Sequence, residues 1–392
     1  MRRLGLAALI SLATVGIGCG ALRTLAGANT VDLEGADVKS MSVDIRKREK
    51  TICPRERVQM AVFADVVLAG EAKVEKLETW GGEAGANRNG KLDFDDFAFH
   101  SEHGGFDASG WFTPKVDVLA TAAQEISITS VYRRRPDKFS FTTTYKPDYR
   151  CIREAGAEGS MGPTGRAGEG GRSGESGSSG SSSSAGGSGR DGSPGSPGGP
   201  GGQGGNGPEL VVRATFVKTA FYDKLVAVRI EGAVSDVVLF HPENKLVIVA
   251  RGGAGGGGAG GGRGGDGGSG GGGSPPGAGG TGGPGGNGGN GGSGGPGGRI
   301  ELIFDERFPE LGGLIALDVG GGSAGASGAG GRGGSVGRGG SGSGTHPAGA
   351  DGNEGVEGAS GARGNAGAPG VASKRPGATA ERFQDYSNLT VL

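Results

Sequence analysis

Aromatic residues are scarce in this chain, at 5% of its length, and only 33% of its residues are hydrophobic. So little large apolar mass excludes one extended conventional core, and any cores must be small and local. An excess of one charge is missing too: 40 Lys and Arg stand against 41 Asp and Glu, a formal net charge of −1. That balance excludes the basic face that nucleic acid needs and the acidic tail that would draw a cationic partner. There are three cysteines and no Cys-x-x-Cys or Cys/His spacing, which excludes a zinc module. Beyond the first residues no convincing amphipathic helix can be traced. No nucleophile motif stands out, and His241 and His346 have no catalytic neighbours in sequence. These absences point away from an enzyme and towards a structural or adhesive role.

What the chain has instead is glycine, 94 residues of 392. Counting every third residue from Gly252 to Gly297, fifteen of sixteen are Gly, with Pro276 the exception, and most following positions are Gly as well. From Gly156 to Gly207 seventeen of eighteen are Gly, broken at Ser183; from Gly322 to Gly370 fifteen of seventeen are, broken at Ser343 and His346. A period of three matches the turn of a polyproline II helix, in which a Gly-only face lets neighbouring backbones touch. Each frame break (Ser183, Pro275-Pro276, Ser343 to Pro347) lies near the middle of its tract. Each tract is therefore expected to fold back into two arms, each about 75–80 Å long at 3.1 Å per residue. Gly177 to Gly189 reads by composition as a flexible linker.

The chain divides accordingly. Residues 1–19 have the form of an export signal, 20–36 a tether, and 37–154 a β-sandwich domain. Residues 155–208 form the first Gly tract, 209–251 strands, 252–298 the Gly-Gly-X tract, 299–319 strands, 320–377 the third tract and 378–392 a tail. The strand readings rest on period-two runs such as Val58, Met60, Val62, Ala64, Val66 and Leu68. The fold class expected is all-β with glycine-rich polyproline II-type repeats.

In the signal, Arg2 and Arg3 precede an apolar stretch, Leu4 to Ile17, and then Gly18 and Cys19. This resembles the bacterial lipobox, although Gly16 stands where that pattern usually has Leu. The resemblance implies that Cys19 is lipidated and becomes the first residue, anchoring the chain to a membrane; the alternative is an ordinary cleaved signal near Ala21. Gly20 after the Cys, by resemblance to enteric lipoproteins, implies the outer membrane and the cell surface. Cys53 and Cys151 remain, and in an exported chain such a pair reads as a disulfide. The alternative is two unpaired buried thiols.

Segments such as Gly162-Pro163-Thr164-Gly165-Arg166-Ala167 resemble collagen-like sequence, which implies a trimer. The Gly-Gly-X tract departs from it and resembles instead the polyglycine II bundles of the snow flea antifreeze protein and of some phage tail-tip adhesins. That resemblance implies a monomer with many polyproline II-like arms packed in one chain, the central tract innermost. Disorder is the third reading, because the backbone entropy of glycine opposes any order.

The one stretch with candidate chemistry is 80–111. Gly85-Ala86-Asn87-Arg88-Asn89-Gly90-Lys91-Leu92 has P-loop spacing, but Leu92 stands where Ser or Thr must hold the metal. Asn87, Asn89, Asp93 and Asp96 half-match a calcium loop, with Gly85 standing where the first Asp is needed. The alternative is a hairpin with an Asn-Gly turn. Trp80, His100, His103 and Trp111 complete a set able to stack on and hydrogen-bond a sugar, and His100-x-x-His103 could touch a metal. Against that, Phe94, Phe97, Phe99 and Trp111 also read as core. No cofactor is expected, calcium aside. The partners expected are a membrane, through the anchor, and an extracellular matrix or surface glycan.

Overall fold

The computed structural model describes residues 30–31, 33–46, 50–79, 91–115, 117–343 and 346–392. The chain is almost wholly β-strand and extended backbone, with a single four-residue α-helix, α1 (Leu311–Leu314), among the described residues. It divides into two compact units, Met1–Tyr149 and Arg150–Leu392. Cys19 lies outside the described residues.

In the first unit the strands are β1 (Thr30–Val31), β2 (Asp37–Ile45), β3 (Thr51–Ile52), β4 (Val58–Val67), β5 (Val74–Glu78) and β6 (Lys91–Leu92). They are followed by β7 (Phe97–His100), β8 (Gly104–Phe106), β9 (Trp111–Pro114), β10 (Ile126–Tyr132) and β11 (Ser140–Pro147). One sheet runs β2-β4-β9-β8, with β5 also on β4; a second runs β3-β11-β10-β7; β1 and β6 form a small parallel pair. The alternation in β4 and β10 buries one face of each sheet, and residues of both sheets mingle in the same clusters. Met41, Val62, Val66 and Leu77 pack with Phe97 and Tyr132, and Ile45, Met60 and Phe112 pack with Ile126, Ile128 and Tyr145. Burial, and the carboxylate of Asp44 to which Tyr145 donates at 3.0 Å, push the tyrosine hydroxyl well above its usual range. Cys53 and Cys151 are joined in a disulfide.

The second unit contains β12 (Glu154–Glu158), β13 (Glu209–Lys218), β14 (Leu225–Gly232), β15 (Asp236–Phe240) and β16 (Leu246–Arg251). Its later strands are β17 (Arg299–Asp305), β18 (Ile315–Asp318), β19 (Val371–Gly377) and β20 (Thr390–Val391). Between them run six extended glycine-threaded arms: arm 1 (159–180), arm 2 (186–207), arm 3 (252–273), arm 4 (277–298), arm 5 (320–342) and arm 6 (349–370). Each arm continues a strand directly. Arms 1, 3 and 5 leave β12, β16 and β18, which form one parallel sheet; arms 2, 4 and 6 return into β13, β17 and β19, parallel neighbours in a second sheet. Three stacked out-and-back excursions account for the parallel pairing, since every excursion starts and ends in the same direction.

The arms are held by lateral backbone bonds. Gly162 N–H donates to Ala254 O (2.8 Å) and Gly255 N–H to Ser323 O (2.9 Å), linking arms 1, 3 and 5 in one parallel row. Gly192 donates to Thr281 O (2.8 Å) and Gly282 to Asn353 O (2.8 Å), linking arms 2, 4 and 6 in a second. Antiparallel bonds stitch the rows together, among them Gly202 to Pro163 O (2.7 Å), Gly256 to Gly202 O (2.8 Å), Gly283 to Gly265 O (2.8 Å) and Gly325 to Gly292 O (2.9 Å). Arm 3 is thus bonded to arms 1, 2, 4 and 5, and arm 4 to arms 2, 3, 5 and 6. A methyl at Gly255 would lie 2.1 Å from Gly292 O and one at Gly256 1.9 Å from Pro163 O, whereas at Gly257 the nearest atom, Ala326 O, is 3.9 Å away. Two crowded positions and one open one per triplet are what Gly-Gly-X encodes.

The structure departs from the sequence reading in three places. The unit boundary falls at Tyr149/Arg150, because Glu154–Glu158 pairs with β16 and belongs to the second unit. Residues 177–180, read as linker, still carry the ladder: Gly177 donates to Ser269 O and Gly180 to Gly272 O. Residues 371–377, read as the end of the third Gly tract, form a strand on β17.

Candidate functional site

Two aspartates and a glycine shape a pocket-forming surface among the described residues of 80–111. Asp93 caps the 3₁₀ turn Phe94–Asp96, accepting the Asp95 N–H at 3.1 Å. Asp107 turns the chain into β9: its carboxylate accepts the N–H groups of Ser109 (2.9 Å) and Trp111 (3.0 Å) and pairs with Arg57. The Trp111 N–H is the largest of the influences that hold this carboxyl below its usual range, with Ser109 and Arg57 adding to it against partial desolvation. Gly110, at φ +71°, lets Phe94 pack beneath the turn, where a methyl would lie 2.1 Å from the ring. Arg57 sits over the Trp111 ring, 5.2 Å from its centroid.

A pocket of about 560 Å³ opens between these elements, lined on its polar side by Arg46, Gln59, Thr79, Lys91 and Asp93 and on its apolar side by Phe94 and Trp111. Arg46 donates to Gln59 Oε1 at 3.2 Å. Two cations, one carboxylate and a half-buried indole suit a flat ligand carrying hydroxyl and acidic groups.

Of the residues singled out from sequence, the pocket brings together Asp93 and Trp111. Trp80, Asn87 and Asn89 lie outside the described residues. Asp96 is engaged elsewhere, accepting from Arg134 Nε at 3.1 Å. His100 is exposed on β7, opposite Thr129. His103 is buried, and its Nδ1 finds no hydrogen-bond partner among the described residues. Among the described residues none of Asp93, Asp96, His100 or His103 belongs to a group of three side chains close enough to share an ion. Phe94, Phe99, Phe106 and Phe112 form a continuous aromatic ladder, with centroids 6.2, 5.4 and 5.0 Å apart in turn. Arg46, Gln59 and Lys91 escaped sequence reasoning, because isolated polar residues at strand ends carry no spacing signal.

No described helix is long and apolar enough to cross a membrane. No protein-family model matches the chain, and no curated protein and no solved structure matches it either.

Proposed function

We propose that this chain is an exported surface lipoprotein anchored through Cys19, whose work is mechanical: a spacer, adhesin or matrix element without catalysis. In this reading the first unit is a β-sandwich, and the six arms form a polyglycine II-type bundle within one chain. The observation that supports it is the period-three ladder of N–H···O bonds, which reaches from the strands to the turns in every arm. Each bond adds only about 0.5–1.5 kcal/mol net, but a continuous ladder resists bending at every triplet. A projection of this kind holds its tip at a fixed distance from the strands at its root, which a Gly/Ser coil cannot do.

Sedimentation of the chain from residue 20 onward tests the bundle. A monomer with the friction of a folded particle is expected; a trimer would transfer the arms to the collagen reading, and the drag of an expanded coil would end the mechanical one. Mass spectrometry of the mature N-terminus tests the anchor: a lipid adduct on Cys19 is expected, and an unmodified terminus near Ala21 would remove it.

The pocket beside Trp111 favours a second reading, a ligand-binding unit that grips a surface glycan. Titration with acidic and neutral oligosaccharides and with calcium, followed by tryptophan fluorescence, separates the two. A saturable response lost in Trp111→Ala supports binding; no response to any of them leaves the mechanical role.

A further inference from the structure

We propose that the face built by arms 2, 4 and 6 is a self-association surface that takes the same face of a second copy of this chain. The proposal rests on the bundle reading. Three rows of outward residues lie side by side on this face, tied across the rows by side chains. Asp191 accepts the Thr281 N–H at 2.6 Å, Asn287 the Ala359 N–H at 2.9 Å, and Asn290 the Ala362 N–H at 2.8 Å.

The distribution of charge is the first argument. The arms hold seven arginines and seven acidic residues. None of the arginines stands on this face. Arg263, Arg332 and Arg338 belong to arms 3 and 5, Arg166 and Arg172 to arm 1, and Arg190 is turned to arm 1, where it pairs with Glu175 at 3.3 Å. Arg363 shares the outer edge of arm 6 with Asp351, whose carboxylate accepts from Gly339 of arm 5. Of the acidic residues Asp191 is here, its carboxylate already bonded to backbone, while Glu354 and Glu357 share the triplet frame of Asp351 and Arg363 on arm 6.

Desolvation is the second. Burying a backbone N–H without a partner costs several times what a hydrogen bond contributes. On this face Pro194, Pro197 and Pro200 of arm 2 and Pro284 and Pro296 of arm 4 replace outward N–H groups altogether. Three more, on Thr281, Ala359 and Ala362, are satisfied by the side chains just named. On the opposite face arms 3 and 5 have no proline, and Asp266 both pairs with Arg263 and accepts the one capped N–H there, that of Ser335, at 2.7 Å. One broad face is therefore prepared for burial and the other for water.

Size and shape choose the occupant. At about 3.1 Å per residue along an arm and roughly 5 Å between bonded backbones, three arms of seven triplets present about 1,000 Å². Two such faces together bury about 2,000 Å², within the range of stable protein pairs. The face is broad and carries few charges. It includes Val356, 71% exposed and centred on arm 6. A flat surface ridged at a constant triplet spacing meets a matching spacing in its own copy, the self-complementarity that a two-fold pair requires.

Sedimentation velocity of the chain from residue 20, over about a hundredfold range of concentration, tests the proposal beside two variants. Val356→Arg with Ala359→Arg places charge on the face, and Ala326→Arg places it on the opposite one. A reversible dimer is expected for the wild type and for Ala326→Arg, and a folded monomer, with unchanged circular dichroism, for the double variant. A wild-type chain that stays monomeric and compact overturns the pairing while leaving the bundle intact, and a flat non-protein surface then becomes the occupant to test. A dimer that survives the double variant, or is lost in Ala326→Arg, overturns it as well. An expanded monomer would instead mean that the bundle reading itself had failed.

Discussion

A methyl group distinguishes the glycines that the arms require from those they merely contain. At Gly265 it would lie 1.9 Å from Arg172 O, a backbone atom fixed by the ladder, whereas at Gly260 the nearest atom is Ala329 O at 3.7 Å. Gly265→Ala is expected to lower stability by about 1–3 kcal/mol, as overpacking does. Gly260→Ala is expected to raise it by about 0.4–1 kcal/mol, through the entropy lost by the unfolded chain. Urea midpoints of the two variants decide this, and equal shifts would refute it. Ala259 already shows how the lattice absorbs one methyl: its bond to Gly199 O is 3.0 Å, against 2.8 Å for Gly256 and Gly262 on either side. A second residue-scale device sits where the arms begin. Arg251, ending β16, donates to Asp318 of β18 (2.6 Å) and to Glu158 of β12 (2.9 Å), so one guanidinium ties the roots of arms 1, 3 and 5. The Arg251 bond, aided by the Gly320 N–H, holds the Asp318 carboxyl below its ordinary value of 3.8. A depressed folded-state value makes its contribution complete above that pH and lost as pH falls through the lowered one. Thermal melts of Asp318→Asn should therefore fall below wild type at neutral pH and converge with it in acid; parallel curves down to pH 2 would contradict the assignment.

For an arm, frame matters more than length. Removing Gly264, Gly265 and Asp266 together shortens arm 3 by one triplet and keeps every remaining Gly facing its neighbour. Removing Gly264 alone rotates the rest of the arm by a third of a turn and drives Asp266 and Ser269 against backbone, the arm's equivalent of a strand slipping by one residue. Cooperative unfolding by circular dichroism should survive the triplet deletion and be lost from the second unit in the single one. This dependence on frame is also why so much of the second unit could be read before its structure. The breaks at Ser183, Pro275-Pro276 and Ser343 to Pro347 coincide with the reversals between arms, and the doubled glycine of 252–298 coincides with the two arms bonded on most sides. What escaped reading lacks a local signal. Val371–Gly377 contains Pro376 and is largely exposed; it is a strand because arm 6 delivers it beside β17. In the first unit the alternation of β4 and β10 was legible, while the pocket cations Arg46 and Lys91 become neighbours only through tertiary folding.

Across the second unit, the arms make a pattern that no flexible or triple-helical glycine tract would share. In arms 2, 3 and 4 two N–H groups of every triplet donate to a neighbouring backbone, for example Gly192 and Ser193 or Gly282 and Gly283, while the third residue, such as Pro194, Pro284 or Ala278, faces outward. In arms 1, 5 and 6 the regular ladder uses one N–H per triplet, as at Gly328 and Gly361. Amide protons in a ladder exchange only when it opens, whereas outward ones exchange almost as they would in an unfolded chain. Residue-resolved exchange should therefore show protection with a period of three along all six arms. Two protected amides per triplet are expected across 186–207, 252–273 and 277–298, and one across 159–180, 320–342 and 349–370. A collagen-like trimer would give one protected Gly per triplet in every tract, because each chain then bonds through the same position. Disordered tracts would give none. Doubled protection in arms 2, 3 and 4 beside single protection in arms 1, 5 and 6 is the outcome that only an intrachain bundle produces, and its absence would remove the structural basis for a rigid projection.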